Sequence, residues 1–86
     1  MSETVGERIR KARIKYGMSQ AELARRVGVS FNAMNRIELG ETPDPRPSRI
    51  RAIADVLHVS TDYLLGKKTA DEEGLAVPAN ADLVHV

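Results

Sequence analysis

Residues Gln20 to Leu39, QAELARRVGVSFNAMNRIEL, constrain the fold most, because their small, apolar and polar positions fall where two short helices crossing at a tight corner need them. Ser19-Gln20-Ala21-Glu22 has the form of a capping box, in which the Ser19 hydroxyl accepts from an orphan backbone N–H and Glu22 reaches back. Leu23, Ala24 and Val27 form one apolar stripe at helical spacing, and Gly28 suits the left-handed residue that ends a helix. A short corner leads to Ser30, the next N-cap. Met34 and Ile37 lie three apart on a buried face, and Gly40 stops the second helix. Ala24 sits midway along the first helix, where a larger side chain would hold the second helix away.

Helical signals continue on both sides. Thr4-Val5-Gly6-Glu7 is a second capping box that opens a helix ending at Gly17. Val5, Ile9, Ala12 and Tyr16 give that helix an apolar stripe, with Arg8, Lys11 and Lys15 on the other side. Pro43, Pro45 and Pro47 alternate along the loop after Gly40, removing backbone donors and favouring extended geometry. Ser48 is placed to cap a fourth helix, where Ile50, Ile53, Ala54 and Leu57 recur at i, i+3, i+4 and i+7. Ser60 caps a short fifth helix carrying Tyr63, Leu64 and Leu65 and closed by Gly66. Beyond Lys67-Lys68 the helical period is lost and the composition turns to Ala, Asp, Glu, Gly, Pro and Asn, which reads as a tail.

These residues resemble the helix-turn-helix of the phage-repressor and Cro-type family, also called the xenobiotic-response-element family of bacterial regulators. The resemblance rests on Gln20, Ala24, Gly28, Ser30, Met34, Ile37 and Glu38, with Arg13 before them and Val59-Ser-Thr-Asp-Tyr-Leu-Leu-Gly66 after. It covers roughly three quarters of the chain. It implies an all-α fold: a compact five-helix lambda-repressor-like DNA-binding domain over residues 1–66, followed by an acidic C-terminal tail over residues 67–86 that is flexible or contacts a partner. The family commonly has Gly where this chain has His58.

Composition fits that expectation. All thirteen Lys and Arg and eight of the acids fall in residues 1–68, a net charge of +5, whereas residues 69–86 hold four acids and no base, a net −4. A basic domain with an acidic tail suits a polyanionic partner, although so modest an excess also describes an ordinary solvated surface. With 86 residues and no cysteine, the core is thin and has no disulfide staple, which makes a second subunit the expected one. No apolar run approaches the roughly 18 residues of a membrane span, and the N-terminus lacks a basic region followed by an apolar one, so a cytoplasmic protein is expected.

A recognition helix enters the major groove with its N-terminal turn toward the base edges, so candidates must avoid the buried Met34 and Ile37. Phe31, Asn32, Asn35 and Arg36 remain, and the resemblance puts the family's base-reading positions on the same four. Asn32 has the chemistry to pair with adenine and Arg36 with guanine, while Asn35 suits a phosphate or a water. An apolar ring at Phe31 either reads a thymine methyl or packs locally. A solvated arginine and a helix-end hydrogen bond are the plainer alternatives for Arg36 and Asn32. Phosphate contacts are expected from Ser30 at the amino end of the recognition helix. The family's phosphate positions match Gln20 and Arg46, and Arg10 on the first helix could reach the backbone. Glu41 and Asp44 would oppose phosphates if they faced DNA. The resemblance also makes Arg13 and Glu38 a structural ion pair joining the first helix to the recognition helix.

The function expected is a sequence-specific transcriptional regulator, most simply a repressor, binding a palindromic double-stranded DNA operator as a homodimer. The alternative is an antitoxin-like or other module that captures a protein partner with its tail. The dimer would pair either through the fifth helix, at Tyr63 and Leu64, or through Leu83-Val84-His85-Val86. Neither His58 nor His85 has an orienting partner in the sequence, and no phosphate loop or metal spacing occurs. The expectation is therefore no catalysis, no metal and no cofactor.

Overall fold

Hydroxyl caps set where most of the helices begin. In the computed structural model, which describes residues 3–42 and 45–74, α1 spans Val5–Tyr16, α2 Gln20–Val27, α3 Phe31–Leu39, α4 Pro47–Leu57, α5 Thr61–Leu64 and α6 Ala70–Glu73. All but α4 start on a Ser or Thr whose oxygen accepts from a backbone N–H three residues on: Thr4, Ser19, Ser30, Ser60 and Thr69. Two expectations about these ends need correction. Glu22 does not reach back to Ser19; it accepts from Arg25 and Arg26 at 2.6 and 2.7 Å, because two guanidiniums on the same helix face compete successfully for it. Ser48 does not cap α4, which begins two residues earlier with Arg46 as N-cap and Pro47 in the first turn. Proline's fixed φ and missing N–H make it a natural first helical residue.

The core forms where the helices cross. Ile9, Leu23, Met34, Ile53 and Leu64 are completely enclosed, and Ala24, at 2% exposure, lets α2 and α3 approach closely. Tyr63 and Leu64 belong to this core, which overturns their candidacy as a dimer surface. A four-residue helix has room to bury only one face, and α5 turns that face inward against α1 and α4, leaving Leu65 half exposed. Tyr16 is also corrected: it is 46% exposed, since α1 has run past the core by its last residue. Its ring lies beside that of His58 at 5.3 Å between centroids. His58 ends α4 in the left-handed conformation at φ 58°, which glycine adopts most readily. Arg8 is not on a solvated face; its guanidinium lies 5.7 Å from the centre of the Tyr63 ring.

The chain past Lys68 adds a helical turn that periodicity could not reveal, because four residues are too few to show a period. Glu73 of α6 accepts from both the backbone N–H and the hydroxyl of Ser60, each at 2.6 Å, and lies 3.1 Å from the Lys68 ammonium. Its side chain is only 9% exposed. Burial works to raise the pKa of this carboxyl, but the two Ser60 donors and Lys68 outweigh it and hold it below the ordinary carboxylate range. A depressed carboxylate stabilises the fold above its unfolded pKa of about 4.3, and that contribution is lost as pH falls through the lower folded value. Glu73→Ala is therefore expected to cost about 1–2 kcal/mol near neutral pH. The deficit against wild type should shrink in acid below about pH 4. Urea titrations of both proteins at pH 7 and pH 3 check this, and a deficit that does not change with pH contradicts it. The Leu83–Val86 segment and Asp44 lie outside the described residues.

Candidate nucleic-acid interface

The outward face of α3 is fixed by what its inward face buries. Gly28, left-handed at φ 88°, ends α2, and the Val29 N–H returns to the Ala24 carbonyl at 3.0 Å. Ser30 then caps α3 through the Ala33 N–H, also at 3.0 Å. With Met34 and Ile37 buried beneath, Phe31, Asn32 and Arg36 project outward; Phe31 is 52% exposed.

Asn35 is partly buried. It lines an open cleft with Arg10 and Gln20, so the structure gathers three of the expected contact residues at the junction of α1, α2 and α3. Arg36 turns to the other side, where it lines a second cleft, about 270 Å³, with Arg46 and Arg49. Glu41 lies 3.9 Å from Arg36 at the rim of this second group. Arg49 was not among the expected residues. The signal was its position three residues after Arg46, which brings both arginines to one face at the start of α4.

The base of α3 is anchored by charge. Arg13 donates from Nε to Glu38 Oε2 at 2.8 Å and from Nη2 to Oε1 at 3.0 Å, and its Nη1 donates to the Met18 carbonyl at 3.0 Å. This fork is enclosed, with the Arg13 side chain 12% exposed and that of Glu38 3%. A carboxylate near the carboxyl end of a helix opposes the helix dipole, and the guanidinium supplies the compensation. The contact ties α1 and the α1–α2 turn to α3. Gly6 completes the junction: a Cβ there would collide with the backbone carbonyls of Ile37 and Glu38. In the sequence Gly6 stands out only as part of a capping box.

Comparison with known proteins agrees with this geometry. The helix-turn-helix family model matches residues 9–64. The HTH-type transcriptional regulator ImmR of Bacillus subtilis is 34% identical over 74% of this chain and 50% of its own. Repressor protein C2 of Salmonella phage P22 is 41% identical over 74% of this chain and 29% of its own. The chain thus spans half or less of the length of these two relatives. Among solved structures, the P22 c2 repressor in complex with a synthetic operator superposes with a TM-score of 0.71, at 39% identity over 78% of this chain and all of that one. The solution structure of the P22 c2 DNA-binding domain gives 0.72, at 37% identity over 81% of this chain and 92% of that one.

Proposed function

The chain belongs to the helix-turn-helix family, and we propose that it is a sequence-specific transcriptional regulator, most simply a repressor, that binds a palindromic operator as a homodimer. The observation that carries this reading is the outward row of α3. Phe31, Asn32 and Arg36 stand exposed on a short helix whose opposite face is locked into the core. The related P22 c2 repressor, similar over its whole solved chain, was determined on operator DNA. In this reading α3 lies in the major groove, with Asn32 and Arg36 reading base edges and Phe31 covering a thymine methyl. Asn35, Gln20, Ser30 and Arg10 hold one stretch of backbone, and Arg46 holds the next. Two-fold symmetry sets half-sites about 10 base pairs apart. The function is binding without chemistry, carried out in the cytoplasm where the DNA lies; among the described residues no helix is long and apolar enough to cross a membrane.

The test is fluorescence anisotropy on the DNA just upstream of the chain's own gene, against scrambled DNA. Wild type is expected to prefer the upstream DNA by at least about a hundredfold. Arg36→Ala should lose about 5- to 150-fold on that DNA, the equivalent of one good bidentate base contact, and little on scrambled DNA. Equal loss on both would make Arg36 a phosphate contact. No preference by wild type would sink the claim that this site is its operator.

A further inference from the structure

We propose that Arg49 is a DNA-phosphate contact acting with Arg46, so that the cleft between α3 and α4 clamps one backbone phosphate directly beside the base-reading Arg36. The inference deepens the DNA-binding reading and rests on it.

Three arginines line one open cleft, which among the described residues otherwise presents Ala33, Ile37, Thr42 and Pro45. Arg36 comes from the outer face of α3; Arg46 and Arg49 come from the N-cap and first turn of α4. All three residues are exposed. Crowding like charges in one place is unfavourable unless an anion is shared between them, and a planar guanidinium forks naturally onto phosphate oxygens. Among the described residues, the wall between the arginines offers no competing acceptor side chain apart from the Thr42 hydroxyl. Glu41, at 3.9 Å from Arg36, is the carboxylate at the rim, and it is exposed enough to swing into solvent when a phosphate replaces it. Arg25 and Arg26, by contrast, are paired with Glu22 on α2.

The position of the cleft gives it a task. A phosphate held between Arg46 and Arg49 fixes how far α3 can rotate in the groove, because Arg36 shares the same cleft. Arg49 carries no sequence information itself, and its role is to set the register in which Arg36 reads.

The experiment measures DNA affinity of wild type, Arg49→Gln and Arg51→Gln by anisotropy across a salt series from 50 to 200 mM, on upstream and scrambled DNA. Arg51→Gln is the control: it makes the same charge change from a residue of α4 that lines a different groove. Arg49→Gln is expected to reduce the slope of log affinity against log salt by about 0.9, the loss of one phosphate contact. Its deficit against wild type should therefore narrow by about threefold between the two salt limits. The weakening should be equal on both DNAs. Arg51→Gln should keep the wild-type slope. An Arg49→Gln slope equal to that of wild type, or a slope change shared by Arg51→Gln, overturns the clamp. A loss confined to upstream DNA also overturns it, since that would make Arg49 a base reader. Wild type binding both DNAs alike would defeat the operator reading, while the slopes on either DNA would still decide the role of Arg49. Wild type binding neither DNA defeats both.

Discussion

Glu38→Ala is expected to destabilise the domain by about 3–5 kcal/mol, because it leaves the Arg13 guanidinium enclosed and without its carboxylate. A chain of this length is stable by roughly 4–13 kcal/mol in total, so the variant should lose a large share of its stability. Exposed ion pairs contribute only about 0–1 kcal/mol, and the difference here is burial. The cost comes mainly from the orphaned charge rather than from the lost attraction. Arg13→Met combined with Glu38→Leu should therefore recover much of the stability, since apolar side chains of similar volume fill the same space. Urea denaturation of the single and double variants checks both statements. A single-variant loss below about 1 kcal/mol would show that water reaches the pair in solution.

Gly6→Ala is the second large effect, and helix propensity gives it the wrong sign. In an exposed helix interior, alanine is favoured over glycine by about 1 kcal/mol. At position 6 the added methyl meets the carbonyls of Ile37 and Glu38, which are main-chain atoms and cannot rotate aside. The helices must separate, and overpacking of this kind costs about 1–3 kcal/mol or somewhat more. Set against the roughly 1 kcal/mol that alanine's helix propensity returns, a net loss of about 1–2 kcal/mol remains, a fall in Tm of roughly 5–15 °C for a domain of this size. Moving α1 away from α3 also pulls Arg13 from Glu38, so operator affinity should fall in the fraction that remains folded. Gly17→Ala is a useful contrast: nothing lies within 4 Å of a Cβ there, and only the left-handed backbone at φ 82° resists it. That strain is worth about 1–2 kcal/mol. Calorimetry that found Gly6→Ala more stable than wild type would mean that the close approach of α1 to α3 is absent in solution.

Much of this domain was legible because its instructions are local. Ser19, Ser30 and Ser60 mark helix starts by chemistry that operates within three residues, and Gly17, Gly28 and Gly40 mark ends by backbone freedom. Ala24, Met34 and Ile37 announced the corner between α2 and α3 by size and spacing alone. The outward residues of α3 followed, since a helix with two buried positions has a predictable opposite face. Where local signals compete, the sequence does not say which of them wins. Glu22 had both a capping amide and two arginines in reach, and Ser48 was a plausible cap one residue after the proline that begins α4.

What the sequence determined by itself was the first five helices, the helix-turn-helix and the face of α3 that looks outward, because each depends on residues no more than a few positions apart. Tertiary structure decided the rest. It buried Tyr63 and Leu64, enclosed Arg13 with Glu38 across 25 positions, pressed Gly6 against the end of α3, tied Glu73 to Ser60 and collected Arg49 beside Arg36 and Arg46. Each of these depends on distance between elements, and a side chain's charge or size does not say what the folded chain will place against it.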